Sequence, residues 1–271
     1  MASARTAVYV YCLVAAARRP STLRLPPGLS GGTRPVLTAA GDGLFIVTSD
    51  VPLDLYGPHV LERRLRNLDW VAETAVAHEN LVERLARVKR VTIVPMKMFT
   101  MFSSIDKALE DIGARRTSID DAVARVAGCE EWGLRITRND GRGAKGEERG
   151  AKGDGRGAKG KPGSGAAFLI ARKAARDEAQ ISRARSHAAA EAAFGDLERL
   201  ARDVRRRSSE REPGANPPVL EAAFLVASGV RARFNAVARR HARACASDGA
   251  ELVVTGPWPA YNFVAPAGNE S

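Results

Sequence analysis

A chain of 271 residues (29.0 kDa), 45% hydrophobic and 6% aromatic, has the length and apolar content for one large or two small cores. Its net charge of +11 and pI near 10.1 favour acidic partners, although an Arg-rich composition and a basic linker account for much of the excess. Three widely spaced cysteines, Cys12, Cys129 and Cys245, argue against a disulfide framework or zinc site and fit a reducing cytoplasm, and no run approaches the roughly 18–20 apolar residues of a membrane span.

The apolar run Ala7 to Ala17 imitates a signal peptide only weakly, because Val8, Tyr9, Val10 and Tyr11 are strand formers. It predicts a buried first strand, Val8 to Val14. A Pro-, Gly- and Ser-rich loop follows over Arg18 to Pro35, then a strand at Leu44 to Thr48. From His59 to about Val88, Leu61, Leu65, Leu68, Val71, Ala75, His78, Val82, Leu85 and Val88 recur at helical spacing, with a break expected at Asp69-Trp70. Val91 to Val94 predicts a third strand, stopped by Pro95. Ser103 or Ser104 caps a helix ending at Gly113, and Ser118 caps a shorter one to Ala127.

Glu130 to Ile136 reads as a strand, after which composition changes abruptly. Residues 139–165 hold no large apolar side chain, and Arg-Gly-Ala-Lys-Gly begins at Arg142, Arg149 and Arg156. Without a bulky position this is no coiled-coil heptad, and the glycines oppose helix, so the insert is expected to be disordered. An Ala- and Arg-rich helix is expected from Phe168 to about Arg207, a loop at Pro213 to Pro218, a strand at Val219 to Val226, a helix capped by Ser228, and a strand at Glu251 to Thr255 before Gly256-Pro257-Trp258-Pro259, a turn or an extended segment.

This order predicts an α+β protein of two small ferredoxin-like domains, each an antiparallel sheet with helices on one face. The expected division is 1–128 and 129–271, the second domain carrying the insert 139–165 and a C-terminal segment 256–271. Residues of catalytic type form no familiar constellation. The motifs of nucleophile elbows, P-loops, zincins and dinucleotide folds are missing, and no cofactor is expected. His78 and Glu79, adjacent on a helix, point about 100° apart and do not readily chelate together. Glu130 and Glu131 face opposite sides of a strand. Glu131 is expected to pair with a basic residue of a neighbouring strand, such as Lys97. An enzyme centred on His78, Glu79 and Glu131 is the least favoured alternative. A regulatory or nucleic-acid-binding module using the insert is the second reading, since eight basic residues face four acidic ones between Arg138 and Lys161. Nucleic acid is disfavoured because the insert lacks aromatics for base stacking.

Several blocks in one order resemble the GvpF/GvpL family of gas vesicle proteins. They are Val8 to Val14, Leu68-Asp69-Trp70-Val71 through Ala77-His78-Glu79, Val94-Pro95-Met96-Lys97, Glu131 to Ile136, Ala222 to Val226, and above all Leu252 to Val264 with its Thr-Gly-Pro-Trp-Pro-x-Tyr-x-Phe-Val pattern. The chain departs from the family at Met98 and Phe99, where an aromatic and then Gly is usual, and in its long insert. The resemblance implies two α+β domains, no catalysis and no small-molecule substrate. It implies cytoplasmic work on the gas vesicle, through contacts with the shell protein and other accessory proteins. The residues expected to carry structure or interfaces are Trp70, His78, Pro95, Lys97, Glu131, Trp132, Gly256, Trp258, Tyr261 and Phe263, with Trp258 and Tyr261 anchoring the C-terminal segment on the second domain.

Overall fold

The computed structural model describes residues 5–20, 24–138, 164–207 and 218–264, and the side chains of all of these except 164–166. The fold is mixed α and β, with two antiparallel sheets. The chain divides into two compact units: Met1–Trp132 with Leu225–Ser228 and Gly256–Ser271, and Gly133–Phe224 with Gly229–Thr255. This differs from the division expected at residue 128. The C-terminal segment belongs with the first unit, because Phe263 is fully buried there and Val264 packs against its core.

The first unit is built around β1 (Thr6–Ala15), whose residues are buried almost throughout. It pairs antiparallel with β3 (Leu44–Pro52) on one side and with β4 (Thr92–Pro95) and β5 (Met101–Phe102) on the other. β2 (Val36–Ala39) extends the sheet beyond β3, giving the order β2-β3-β1-β4. A register shift between Val10 and Cys12 changes which residues face which side. Ala7, Tyr9 and Tyr11 before it, and Cys12 and Val14 after it, enter one core, whereas Val10 and Leu13 enter the other. One extra residue in a strand of period two produces that change of parity.

Both faces of this sheet are therefore apolar, and both are covered. A helix α3 (Leu68–Ala86) brings Leu81, Val82 and Leu85 to the first core. Helices α4 (Ile105–Ala114) and α5 (Arg116–Val126) bring Ala108, Ile112 and Ile119 to the second. The expectation of helices on one face is corrected for this unit; a continuous apolar run such as Val8 to Val14 has no face to leave in water. Two short helices, α1 (Leu53–Tyr56) and α2 (Pro58–Arg64), precede α3. The helical break falls ahead of Leu68, where the Asn67 side chain accepts from the Trp70 N–H at 3.2 Å, and not at Asp69-Trp70. Ser104 caps α4 as expected, accepting from the Lys107 N–H at 3.3 Å. Ser118 lies inside α5 and donates to the Arg115 carbonyl instead of capping.

The second sheet has the order β7-β8-β6-β9, formed by β6 (Cys129–Arg138), β7 (Asp203–Arg207), β8 (Leu220–Ala227) and β9 (Ala250–Trp258). In both sheets the main strands, numbered within the sheet, thus lie in the order second, third, first, fourth. A helix α6 (Ser164–Glu198) follows β6 and α7 (Arg231–Ser247) follows β8. Phe224 sits between Phe194 of α6 and Phe234 of α7, with ring centroids 5.7 and 5.6 Å away. Residues 203–207, expected to end a helix, form an outer strand. Their sequence Asp-Val-Arg-Arg-Arg carries no apolar alternation, so pairing with β8 and not local pattern makes them a strand. Ser228 does not cap α7, whose N-cap is Val230; its N–H and hydroxyl donate to the Gly128 carbonyl at 2.9 and 3.1 Å. The expected insert lies outside the described residues, except that Ser164 and Gly165 begin α6.

Candidate functional site

Strand spacing places Tyr9 and Tyr11 side by side on the α3 face of the first unit's sheet, their ring centroids 4.8 Å apart. The Tyr11 hydroxyl lies 2.9 Å from the Ser49 hydroxyl and accepts from the Leu29 N–H, also at 2.9 Å. The Tyr9 hydroxyl accepts from the Phe99 N–H at 3.2 Å and lies 2.8 Å from His78 Nδ1. The Tyr9 hydroxyl can donate or accept, so the direction of its bond to His78 Nδ1 follows the tautomer of the neutral imidazole. His78 is 0% exposed. Burial pushes its pKa from 6.5 down to about 4, against a weaker opposite pull from the Met96 backbone. Burial also pushes the Tyr9 and Tyr11 phenols up.

The C-terminal segment closes over this cluster. The Tyr261 ring lies 6.4 Å from His78, and burial, reinforced by the Glu79 charge, raises its phenol pKa. Next to it Asn262 engages Glu131, its backbone N–H donating to Oε2 at 2.9 Å and its side-chain amide donating to Oε1. Arg125 donates to the Phe263 carbonyl at 3.1 Å. Gly256 admits the segment: a Cβ there would lie 2.8 Å from the Glu131 carbonyl and 3.1 Å from the Trp132 ring, and its φ of +129° is one that side-chain-bearing residues rarely adopt.

Tyr261, not Trp258, is the aromatic that fastens this segment, and it does so on the first unit. Trp258 is 44% exposed and lines a cleft of about 450 Å3 together with Val76, Glu79, Glu83, Glu131 and Tyr261. Burial raises the Glu79 carboxyl pKa, and the charges of Glu83 and Glu131 raise it further, while the Tyr261 hydroxyl acts the other way. The expected partner of Glu131 is corrected: Asn262 holds the buried carboxylate, while Lys97 stands exposed on the turn after β4. That turn lets the Lys97 carbonyl accept from the Thr100 N–H and hydroxyl at 3.2 and 2.7 Å. Pro95, buried, pairs with Cys12 at the end of β4. Phe99 adopts φ 62° and stacks on Trp70 at 5.9 Å. Trp70 also meets Tyr56 at 5.8 Å and lies under the Arg64 guanidinium at 5.3 Å. Trp132 is buried behind Gly256.

Of the three residues weighed as an enzyme centre, Glu79 and Glu131 share the cleft, while His78 is sealed from solvent. Among the described residues no group of three or more His, Cys, Asp or Glu side chains is placed to hold a metal ion, and no helix is long and apolar enough to cross a membrane. Sequence reasoning passed over Tyr9, Tyr11, Ser49 and Asn262. The i, i+2 tyrosines in an apolar strand were the one available signal, since buried phenols need partners.

The sequence matches the profile of the family described as gas vesicle synthesis protein GvpL/GvpF over residues 7–265. It is 30% identical over 268 residues to gas vesicle protein L of Streptomyces sp. (strain CB03234), covering 94% of this chain and 91% of that protein. Its fold is similar to the crystal structure of GvpF from Anabaena sp. PCC7120, with a TM-score of 0.65 at 15% identity and 96% of each chain covered. Similarity to GvpF from Microcystis aeruginosa has a TM-score of 0.61 at 14% identity, over 96% of this chain and 99% of that one. With the family's blocks present in order and the profile spanning nearly the whole sequence, this chain belongs to the GvpL/GvpF family of gas vesicle synthesis proteins.

Proposed function

We propose that this protein is a non-enzymatic assembly factor of the gas vesicle, which binds the shell subunit in the cytoplasm and supports nucleation or growth of the vesicle. The observation that carries the reading is the family match over residues 7–265. Exposed apolar side chains on described elements support it: Leu68 (79%) on α3, and Ile170 (70%) and Ile181 (55%) on α6. A shell subunit that exposes apolar surface before joining a wall aggregates unless another protein covers it, and surfaces of this kind provide such cover. Other accessory vesicle proteins are the second class of partner. We read both units as variants of the ferredoxin-like arrangement, on the strand order that their sheets share.

The test is deletion of the gene in a vesicle-forming cell, with electron microscopy of the product. Loss or malformation of vesicles is expected; normal vesicles would overturn the proposal. Pull-down of the shell subunit by the tagged protein tests the partner. Immunogold labelling of purified vesicles separates a transient factor from a minor wall component. Removing residues 139–163 addresses the nucleic-acid alternative, since vesicle formation is expected to survive that deletion.

A further inference from the structure

Helix α6 enters the core of the second unit only from Ser186 onward, where the serine hydroxyl donates to the Asp248 carbonyl at 2.7 Å. Every residue from 167 to 185 is exposed. At 1.5 Å per residue these 19 residues make a bare helix about 28 Å long. Its Ala, Arg, Lys, Glu and Gln content favours helix without help from packing. Yet it begins with three large apolar side chains in a row, Phe168, Leu169 and Ile170, exposed by 63, 64 and 70%. Large apolar side chains exposed together on one helical turn point to an interaction site.

The helix is also sided. At 100° per residue, Phe168, Leu169, Arg172, Arg176, Ala179 and Arg183 share one face, which contains no acid. Asp177 falls on the opposite face with Ile170 and Ile181. One face is thus apolar at its N-terminal end and basic along its length.

The first unit carries the complementary surface. Helix α3 has four acidic residues against one basic one within Leu68–Ala86, in a chain of net charge +11. Its outward apolar row, Leu68, Ala72 and Val76, is exposed and leads to the cleft floored by Trp258 and Tyr261. Glu79, Glu83 and Glu131 line that cleft; Glu83 is paired with Arg87 at 3.0 Å, and no Lys or Arg is among the described lining residues. Burial raises the Glu79 carboxyl pKa, and the charges of Glu83 and Glu131 add to it, so a basic side chain entering the cleft would relieve it.

We propose that the exposed half of α6 of one copy docks into the α3–Trp258 cleft of a second copy. Phe168 and Leu169 cover Val76 and Trp258, and Arg172 and Arg176 face Glu79 and Glu83. The contact is heterologous, head to tail, so each molecule offers one helix and one cleft, and the assembly grows into a ring or an open chain.

Sedimentation velocity of the full-length protein from roughly 1 to 100 μM tests this. Association that rises with concentration and weakens in about 0.5 M salt is expected. Two variants alter exposed positions, with circular dichroism to verify the fold: Phe168→Ser with Arg172→Glu and Arg176→Glu on the helix, and Val76→Asp in the cleft. Each alone is expected to associate at least tenfold more weakly. Mixed together they regain one intact contact, cleft of the first with helix of the second, and form a 1:1 dimer that does not grow. A monomeric wild type at all concentrations would overturn the proposal. So would a cleft variant that associates as wild type, which would indicate helix-to-helix pairing, and so would a mixture without the dimer.

Discussion

Replacing His78 by Gln isolates one buried ionisation whose effect on stability the structure sets. The folded protein holds His78 neutral with a pKa of about 4, while the unfolded chain returns it to 6.5. Between these values the unfolded state binds more protons, so stability rises with pH across that window. Above pH 6.5 both states are neutral and the group contributes nothing; below pH 4 the penalty is complete. At pH 5 it amounts to about 2 kcal/mol, approaching about 3 at lower pH. Glutamine offers the Tyr9 hydroxyl both a donor and an acceptor but has no proton to gain. Glu79, whose raised carboxyl pKa works in the opposite direction, is present in both proteins and cancels in the comparison. All three tryptophans, Trp70, Trp132 and Trp258, lie in the first unit, so their fluorescence during urea unfolding follows that unit. The expected result is a stability gap between wild type and His78→Gln that shifts by about 2 kcal/mol, against wild type, from about pH 7.5 to 5. A gap independent of pH would refute the reasoning, because it would mean that His78 is solvated or charged in the folded state.

At Phe99 the left-handed backbone reverses the usual ranking of small residues: Phe99→Gly loses the Trp70 stack, but Phe99→Ala loses it and keeps the strain, so alanine is expected to be less stable by about 1 kcal/mol in urea titration. Glu131→Ala strips the Asn262 amide groups of their shared acceptor and is expected to cost the first unit about 2–4 kcal/mol, with tryptic cleavage after Arg125 accelerated as the terminal segment loosens. Gly256→Ala pushes a methyl group into the Glu131 carbonyl and is expected to lower stability by about 2 kcal/mol or more by the same fluorescence assay.

Local pattern made the interior of most elements legible. The apolar run of β1, the helical recurrence through α3 and the Ser104 cap depend on residues within a few positions of one another. The elements that were misread lack that local pattern. Residues 203–207 are mostly arginine and aspartate, and a two-residue strand such as β5 exists only because β1 lies beside it. The terminal motif disclosed the family but not its own partners. Trp258 and Tyr261, three residues apart, differ because Tyr261 meets His78 while Trp258 faces the cleft.

What the sequence alone determined was the family, the α+β class, and the lack of the familiar catalytic motifs. Tertiary structure decided the contacts that define the site. Tyr9 and His78 are 69 residues apart, and Glu131 and Asn262 are 131 apart. No local periodicity encodes such pairs. They exist because α3 packs on the face of β1 that carries Tyr9 and Tyr11, and because a glycine lets the end of the chain lie against Trp132 and reach a buried carboxylate.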